Sequence, residues 1–174
     1  MRPMNLTDTE RLILANQHEI LAHLKKEDKD YHLRMAENLR DGHKWLYEQG
    51  FDHFSENLPE EKVEHVLQIL GIYGDMHDSY DQLEDKTGIK KDDLKFRGFD
   101  GNNECELMHF ADALRKSDRF EATIGKRAKN SHMPTTETYK RMIQRWKELG
   151  EPHYPYTREM IIAILAEWVH PSRR

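Results

Sequence analysis

The longest periodic apolar segment of the chain lies between Pro59 and Asp85. Its apolar side chains recur every three or four residues, which places them on one face of an α-helix. They are Val63, Val66, Leu70, Tyr73, Met76, Tyr80 and Leu83. Proline suits a helix entry because its missing N–H would have no intrahelical partner there, so Pro59 marks the predicted start. We therefore expect one long central helix whose apolar face packs against other helices.

The first helix is predicted from a capping signal. Thr7-Asp8-Thr9-Glu10 has the capping-box pattern, in which the Thr7 hydroxyl accepts the Glu10 amide and the Glu10 carboxylate reaches back. After it, the apolar residues Ile13, Ile20 and Leu24 share one face of a helix. The segment is therefore expected to be an amphipathic helix.

A second helix is predicted over residues 31–48, between a charged run at 25–30 and Gly50. Glycine ends helices well because it accepts the left-handed backbone conformation that follows the last turn. Two helices joined by a short polar turn form an antiparallel hairpin. We therefore expect a helical hairpin before the central helix.

Helical periodicity continues into the second half of the chain, and no segment alternates in the manner of a β-strand. The predicted fold class is all-α, with a helical hairpin plus a long central helix, a second smaller helical lobe and no sheet. We place the hairpin and the central helix in residues 1–94 and the C-terminal lobe in residues 95–174. A single compact domain is the alternative, because 174 residues suit either arrangement.

Composition favours a soluble protein of the cytoplasm. Charged residues make up 34% of the chain, no apolar run is long enough for a membrane span, and the start lacks the apolar stretch of a signal peptide. Cys105 is the single cysteine, so no intramolecular disulfide can form. Residues 1–87 carry 10 Lys+Arg against 19 Asp+Glu, whereas residues 88–174 carry 17 against 13. The basic second half could attract an anionic partner, although charge runs usually are solvated faces.

The segment after the central helix combines glycine with aromatic residues but completes neither a phosphate-binding nor a calcium-binding loop. We expect Phe96 and Phe99 to fill the gap between the central helix and the next one. Gly98 would permit the chain reversal, and Asp100 or Asn102 would cap the following helix. Residues 96–100 are thus predicted to form a structural joint between two lobes.

Three groups of residues together resemble a known family. They are Glu10-Arg11-Leu12-Ile13-Leu14 with Asn16-Gln17, then Phe96-x-Gly98-Phe99-Asp100, then Pro134 with Tyr139-Lys140-Arg141-Met142 and Trp146. In this order and spacing they resemble the YfbU-like family of bacterial proteins over nearly the full chain. The resemblance implies a cytosolic, all-helical bacterial protein with a helical hairpin and a second helical lobe. It implies no activity, cofactor or catalytic residue.

Metal and thiol chemistry have weak signals. Glu106-x-x-His109 and Glu167-x-x-His170 each place a carboxylate and an imidazole on one helical face, as di-iron helical bundles do. Such pairs arise by chance in a chain with eleven histidines and many carboxylates, and we expect solvated surface positions and no cofactor. Cys105 could be a nucleophile if His109 lowered its pKa, but a small packing residue is the commoner role. A metal- or thiol-dependent enzyme is therefore the third hypothesis.

A nucleic-acid-associated regulator is the second hypothesis. Residues 115–147 are rich in lysine and arginine, interleaved with aromatic residues that could stack on unpaired bases. Against it, the net charge of the chain is −5 and no known nucleic-acid-binding motif is present. The residues that would contact phosphate are Lys126, Arg127, Lys129, Lys140, Arg141 and Arg145.

A self-associating interaction protein without enzymatic activity is the first hypothesis. In the last helix, predicted from about Thr157, Ile161, Ile164, Leu165 and Trp168 fall at i, i+3, i+4 and i+7, and other faces are apolar as well. Such a helix is either deeply buried or shared with another subunit. We expect a homo-oligomer that uses these four residues, with another protein as the alternative partner and no membrane contact.

Overall fold

The computed structural model describes residues 5–51 and 55–169, and within these ranges it contains α-helices and no β-strand. The helices are α1 (Asp8–Leu24), α2 (Lys29–Arg40), α3 (Lys44–Glu48), α4 (Glu60–Gln82), α5 (Cys105–Lys116), α6 (Glu121–Ile124), α7 (Thr136–Glu148) and α8 (Arg158–Leu165). The predicted all-α fold class is confirmed. No helix in the described ranges is long and apolar enough to cross a membrane.

The chain divides into two compact units, residues 1–57 and residues 58–174. The boundary between the units therefore lies between residues 57 and 58, whereas the sequence predicts it between residues 94 and 95. The central helix α4 explains the difference, because it packs against α5, α6 and α7 of the second unit. Its side chains Ile69, Leu70 and Met76 are fully buried there. A boundary after α4 would cut through this core.

The first unit is a hairpin of α1 and α2 followed by the short helix α3. The capping box is present as predicted, since the Glu10 amide donates to Thr7 Oγ1 at 3.2 Å and the Thr7 amide donates to Glu10 Oε2 at 2.7 Å. The buried core of the unit is small and consists of Ala15, Met35, Ala36, Leu39 and Tyr47. Two of these five side chains are alanines, so α1 approaches α2 closely but buries little apolar area.

The second helix predicted over residues 31–48 is in fact two helices, α2 and α3. The break falls at Gly42, which has a φ of +73° that side-chain-bearing residues rarely adopt. Arg11 occupies the space beside it, so that a Cβ on Gly42 would lie 2.8 Å from the guanidinium. The same guanidinium donates to the Leu39 carbonyl at 3.1 Å and thereby satisfies an oxygen near the end of α2.

The core of the second unit is organised around an aromatic cluster. Phe96, Phe99, Tyr73 and Tyr139 are at most 1% exposed, and their ring centroids lie between 5.5 and 6.0 Å apart. Tyr139 is a phenol in an apolar site, and its hydroxyl donates to the Gly98 carbonyl at 2.9 Å. Buried tyrosines usually find such a partner because an unpaired hydroxyl is costly.

The segment 96–100 lies inside the second unit and is not a joint between the two units. Phe96 packs on Tyr73 of α4, and Phe96 and Phe99 both pack on Tyr139 of α7. Gly98 has a φ of +89°, and Asp100 accepts the Asn102 amide within its own turn at 3.2 Å. The predicted capping of the next helix by Asp100 or Asn102 is not observed, because α5 begins after Glu104 without a side-chain cap.

Candidate interaction surface

Four large apolar side chains of α1 are exposed to solvent. Leu12, Ile13, Ile20 and Leu24 keep 54%, 50%, 58% and 74% of their surface accessible. At about 100° per residue, they fall within an arc of roughly 120° on the helix. We call these four residues the α1 stripe. The sequence groups Ile13, Ile20 and Leu24 on one face correctly, but that face lies outside the core.

The inward face of α1 carries two fully packed alanines, and Leu14 packs partly buried against the same core. Ala15 and Ala22 are at most 2% exposed, and they lie on the opposite side of the helix from the α1 stripe. Four large apolar side chains on the outer face depart from the usual amphipathic arrangement of a surface helix, in which the outer face is polar. The arrangement leaves the larger apolar face of α1 available to a partner.

Exposed apolar residues are concentrated in the first unit. Eight of the eleven large hydrophobic residues that are exposed in the described ranges belong to it, although it holds about a third of the chain. Besides the α1 stripe, they are Tyr31, Leu33, Trp45 and Leu46. Single exposed apolar residues are ordinary on protein surfaces, whereas contiguous apolar patches are typical of interaction surfaces.

Polar contacts fix α1 on α2 and thereby fix the orientation of the α1 stripe. The Arg40 guanidinium of α2 forms an ion pair with Glu19 and donates to Asn16 Oδ1 at 3.0 Å. Arg11 adds its bond to the Leu39 carbonyl near the other end of α1. Arg11 lies on the inner side of α1, whereas Glu19 lies beside Leu12 and Asn16 lies within the arc of the α1 stripe, so the Arg40 guanidinium meets α1 at one edge of its apolar face.

A histidine pair lies in the middle of the hairpin. The Nδ1 atoms of His18 in α1 and His32 in α2 are 2.9 Å apart, and His32 is buried. Burial and the neighbouring His32 lower the pKa of His18 from its usual value. One imidazole must donate and the other accept in this bond, so the pair requires at least one neutral ring.

The four residues expected to form a subunit interface lie in or against the core of their own unit. Ile161 and Ile164 are fully buried, and Leu165 and Trp168 pack against the same cluster. Trp168 also stacks under the Arg97 guanidinium, 4.5 Å from the ring centroid. The apolar character of α8 thus reflects deep burial, and a self-association surface built on Ile161 and Ile164 does not fit the structure.

Most of the predicted phosphate-binding cations already have protein partners. Lys140 pairs with Glu137, Arg145 pairs with Glu148, and Lys129 donates to the Phe96 carbonyl. Arg141 donates to the backbone carbonyls of Glu137 and Glu167, which lie at 3.2 Å each. Carboxylates are therefore interspersed with the cations along α7, unlike the uniform basic face of a nucleic-acid-binding protein.

Lys126 and Arg127 differ from the other four predicted cations. Both are exposed on the loop after α6, and neither forms an ion pair with the described residues. They are the two predicted contacts that would be open to an anion.

A polar groove of about 540 Å³ lies between α4, α5 and α7 within the second unit. Its floor contains His65, whose Nε2 atom is buried and has no hydrogen-bond partner in the described ranges. Burial and the Lys140 charge lower the pKa of His65, against an opposing effect of Glu104. Lysines and glutamates both line the groove, so it has no single charge character.

Glu104, at the end of this groove, has a structural role. Its carboxylate accepts the amides of Thr135 at 2.9 Å and Thr136 at 2.7 Å, and it also accepts the Thr135 hydroxyl and the Asp100 amide. Thr135 precedes α7 and makes no side-chain cap of its own, so Glu104 provides the cap from a distant position in sequence. Burial raises the pKa of Glu104, but these hydrogen bonds outweigh that effect and hold the pKa below its usual value.

The residues of the metal and thiol hypothesis are not brought together in the described ranges. No three of the His, Cys, Asp and Glu side chains there lie close enough to share a metal ion. Glu106 forms an ion pair with Lys62 instead. His170 lies outside the described residues. Cys105 is exposed at the start of α5.

A family model described as "YfbU domain" matches residues 4–166. The UPF0304 protein MJECS11 of Methanocaldococcus jannaschii is 33% identical over 167 residues, which cover 92% of this chain and 98% of the relative. That organism is an archaeon, so similar proteins are not confined to bacteria, and a bacterial source for this chain stays a prediction. Both matches extend through the two compact units.

Proposed function

Since the chain belongs to the YfbU family, whose names state no activity, we propose a function from its surface. The protein is a self-associating interaction module that acts without catalysis, and the first unit supplies the contact. A homo-oligomer remains the proposed state, but the surface is the α1 stripe and not α8. The proposal places the protein in the cytoplasm, with no membrane contact.

The observation that carries the proposal is the exposure of Leu12, Ile13, Ile20 and Leu24 on a helix that is fixed in place. Burying apolar surface is favourable by about 25 cal/mol per Å². A helix that is already held by α2 loses little conformational entropy when a partner covers its outer face. Both effects favour association through the α1 stripe.

A second copy of the chain is the simplest partner. Homo-oligomers with twofold symmetry are the commonest soluble assemblies, and a twofold contact requires that a surface be complementary to itself. An apolar stripe meets this requirement, because it can pack on the identical stripe of a second copy. A different protein that presents an apolar helix is the alternative partner.

Sedimentation velocity over a range of protein concentrations tests the proposal. Association predicts that the sedimentation coefficient rises with concentration in the low micromolar range, toward the value of a dimer or a larger closed assembly. A coefficient that stays at the monomer value up to about 100 μM would rule out self-association as a significant function, since that limit corresponds to a free energy weaker than about −5.5 kcal/mol.

Association with nucleic acid is the second candidate, and Lys126 and Arg127 are the observation that supports it. They are exposed on one loop and form no ion pair with the described residues. Phosphate contacts weaken steeply as salt rises, because binding releases condensed counterions. Binding of a labelled RNA or DNA at about 50 mM salt that disappears near 200 mM would support this candidate. An absence of binding at the lower salt would end it.

A further inference from the structure

We propose that two copies of the chain pair through α1 in antiparallel orientation, about a twofold axis that passes beside His18 and Glu19. This inference rests on the proposed self-association and specifies its geometry. The partner is a second copy of this chain, and its α1 stripe lies on the α1 stripe of the first.

The position of the axis follows from the spacing of the α1 stripe. Its outermost members along the helix are Leu12 with Ile13 at one end and Leu24 at the other. The midpoint between Ile13 and Leu24 lies between residues 18 and 19. Antiparallel pairing about that point places Ile13 of each copy beside Leu24 of the other and brings the two Ile20 side chains near the centre. Leu12 then lies opposite Lys25 of the other copy, so the apolar contacts are those of Ile13, Ile20 and Leu24.

The orientation follows from the charges at the two ends of α1. Asp8 and Glu10 lie in the first turn, while Lys25 and Lys26 directly follow the last turn. Neither lysine forms an ion pair with the described residues. Glu27 and Asp28 come next, so the positive region at this end is short and lies immediately beside Leu24.

Parallel pairing would place each end of α1 beside the same end of the other copy. Like charges would then face each other, and the two helix dipoles would be aligned. Asp8 is already paired with Arg11, so antiparallel pairing puts the Glu10 charge of one copy near Lys25 and Lys26 of the other, and it opposes the dipoles. Charge complementarity therefore selects the antiparallel arrangement.

The size of the α1 stripe fits such a contact. Its four side chains expose roughly 400 Å² of apolar surface on each copy, whereas a standard interface buries about 800 Å² per partner, a little more than half of it apolar. The α1 stripe therefore supplies most of the apolar surface that a stable dimer needs. Asn16 and His23 lie within the arc of the α1 stripe and Gln17 lies beside it, so polar contacts would accompany the apolar ones.

Spin labels on α1 test the orientation without altering the α1 stripe. Thr9 and Gln17 are exposed polar residues on the same side of the helix as the α1 stripe. The variants Thr9→Cys and Gln17→Cys are made in a Cys105→Ser background, each is labelled, and label-to-label distances are measured by electron paramagnetic resonance. Sedimentation of each labelled protein is measured under the same conditions.

The antiparallel arrangement predicts very different distances at the two positions. With about 1.5 Å of rise per residue, the two Gln17 residues are offset by about 4.5 Å along the helix and the two Thr9 residues by about 28 Å. Helix axes pack about 8–10 Å apart, so Gln17 labels should lie at roughly 10–20 Å and Thr9 labels at roughly 30 Å.

Each alternative outcome identifies what has failed. A dimer whose Thr9 and Gln17 labels give equal short distances would overturn the antiparallel arrangement and leave self-association standing. A dimer in which both distances exceed about 30 Å would show that α1 is not the contact. A monomer by sedimentation for both variants and for the unlabelled chain would overturn the proposed function itself.

Discussion

His18 and His32 share a hydrogen bond of 2.9 Å between their Nδ1 atoms, which joins the two helices of the hairpin. The bond exists only while at least one ring is neutral, and burial together with the His32 charge lowers the pKa of His18. The unfolded chain therefore binds more protons than the folded one at mildly acidic pH. Stability is fully present above the unfolded pKa of about 6.5 and falls as pH drops toward the lower folded value.

The first prediction concerns the pH dependence of the hairpin. Hydrogen exchange of the α1 and α2 amides should become faster between about pH 7 and pH 5, after correction for the intrinsic pH dependence of exchange. His18→Gln removes the titrating ring and should flatten this dependence. His23→Gln on the exposed side of the same helix is the control and should leave the dependence intact. Equal pH profiles for the wild type and His18→Gln would contradict the role of the pair.

The second prediction concerns Glu104. Glu104→Ala leaves the Thr135 and Thr136 amides without their acceptor, so the free energy of unfolding of the second unit should fall by about 2–4 kcal/mol. Glu106→Ala, two residues away, removes an ion pair between half-exposed side chains and should change stability by less than about 1 kcal/mol. Chemical denaturation followed by circular dichroism measures both. Losses of equal size would show that Glu104 does not cap α7.

The third prediction concerns Gly98. A Cβ at this position would lie 2.0 Å from the Lys129 carbonyl oxygen, and the φ of +89° adds backbone strain. Gly98→Ala should therefore destabilise the second unit by more than about 3 kcal/mol. Gly125→Ala is a matched control, because Gly125 has a φ of +84° but no atom within 4 Å of its Cβ position. It should cost about 1 kcal/mol from strain alone, and a similar loss in the two variants would contradict the close contact at Gly98.

The fourth prediction separates core from interface in α8. Ile161 is fully buried, so Ile161→Ala should lower the free energy of unfolding by about 2–4 kcal/mol without changing the sedimentation coefficient. Val169→Ala, at a residue that is 46% exposed, should cost less than about 1 kcal/mol. An Ile161→Ala variant that kept its stability but lost association would restore α8 as the interface.

Helical periodicity predicted most helices of this protein well, but it predicted poorly which faces of those helices are buried. The capping box at Thr7, the long α4 and the all-α fold class are present as expected, because local hydrogen bonding and apolar spacing specify them. The break at Gly42 was missed although it has a local signal, because Asp41-Gly42 is a typical turn pair and the His43 amide donates to the Asn38 carbonyl at 2.9 Å.

Whether an apolar face is buried depends on residues far away in the sequence, which explains why the apolar faces of α1 and α8 were misplaced. Spacing shows that Ile13, Ile20 and Leu24 share a face, but it does not show whether their own chain covers that face. The alanines at positions 15 and 22 were the available signal, because their small side chains suit a close helix contact. In α8 the reverse holds, and its surplus of apolar residues is absorbed by the core of the second unit. The cap that Glu104 provides to α7 is equally distant in sequence and could not be predicted.

The α1 stripe is the proposed surface through which the protein associates. A charge at the centre of the α1 stripe would be desolvated without a partner in the assembly, so Ile20→Asp should raise the dissociation constant at least about 30-fold, which corresponds to about 2 kcal/mol. Met133→Asp places the same charge at a residue that is 60% exposed in the second unit and should leave association unchanged.

Sedimentation velocity on the wild type, Ile20→Asp and Met133→Asp at matched concentrations is the most direct measurement, with circular dichroism to confirm that all three are folded. We expect the wild type and Met133→Asp to associate alike and Ile20→Asp to sediment as a monomer. An Ile20→Asp protein that associates as tightly as the wild type would contradict the claim.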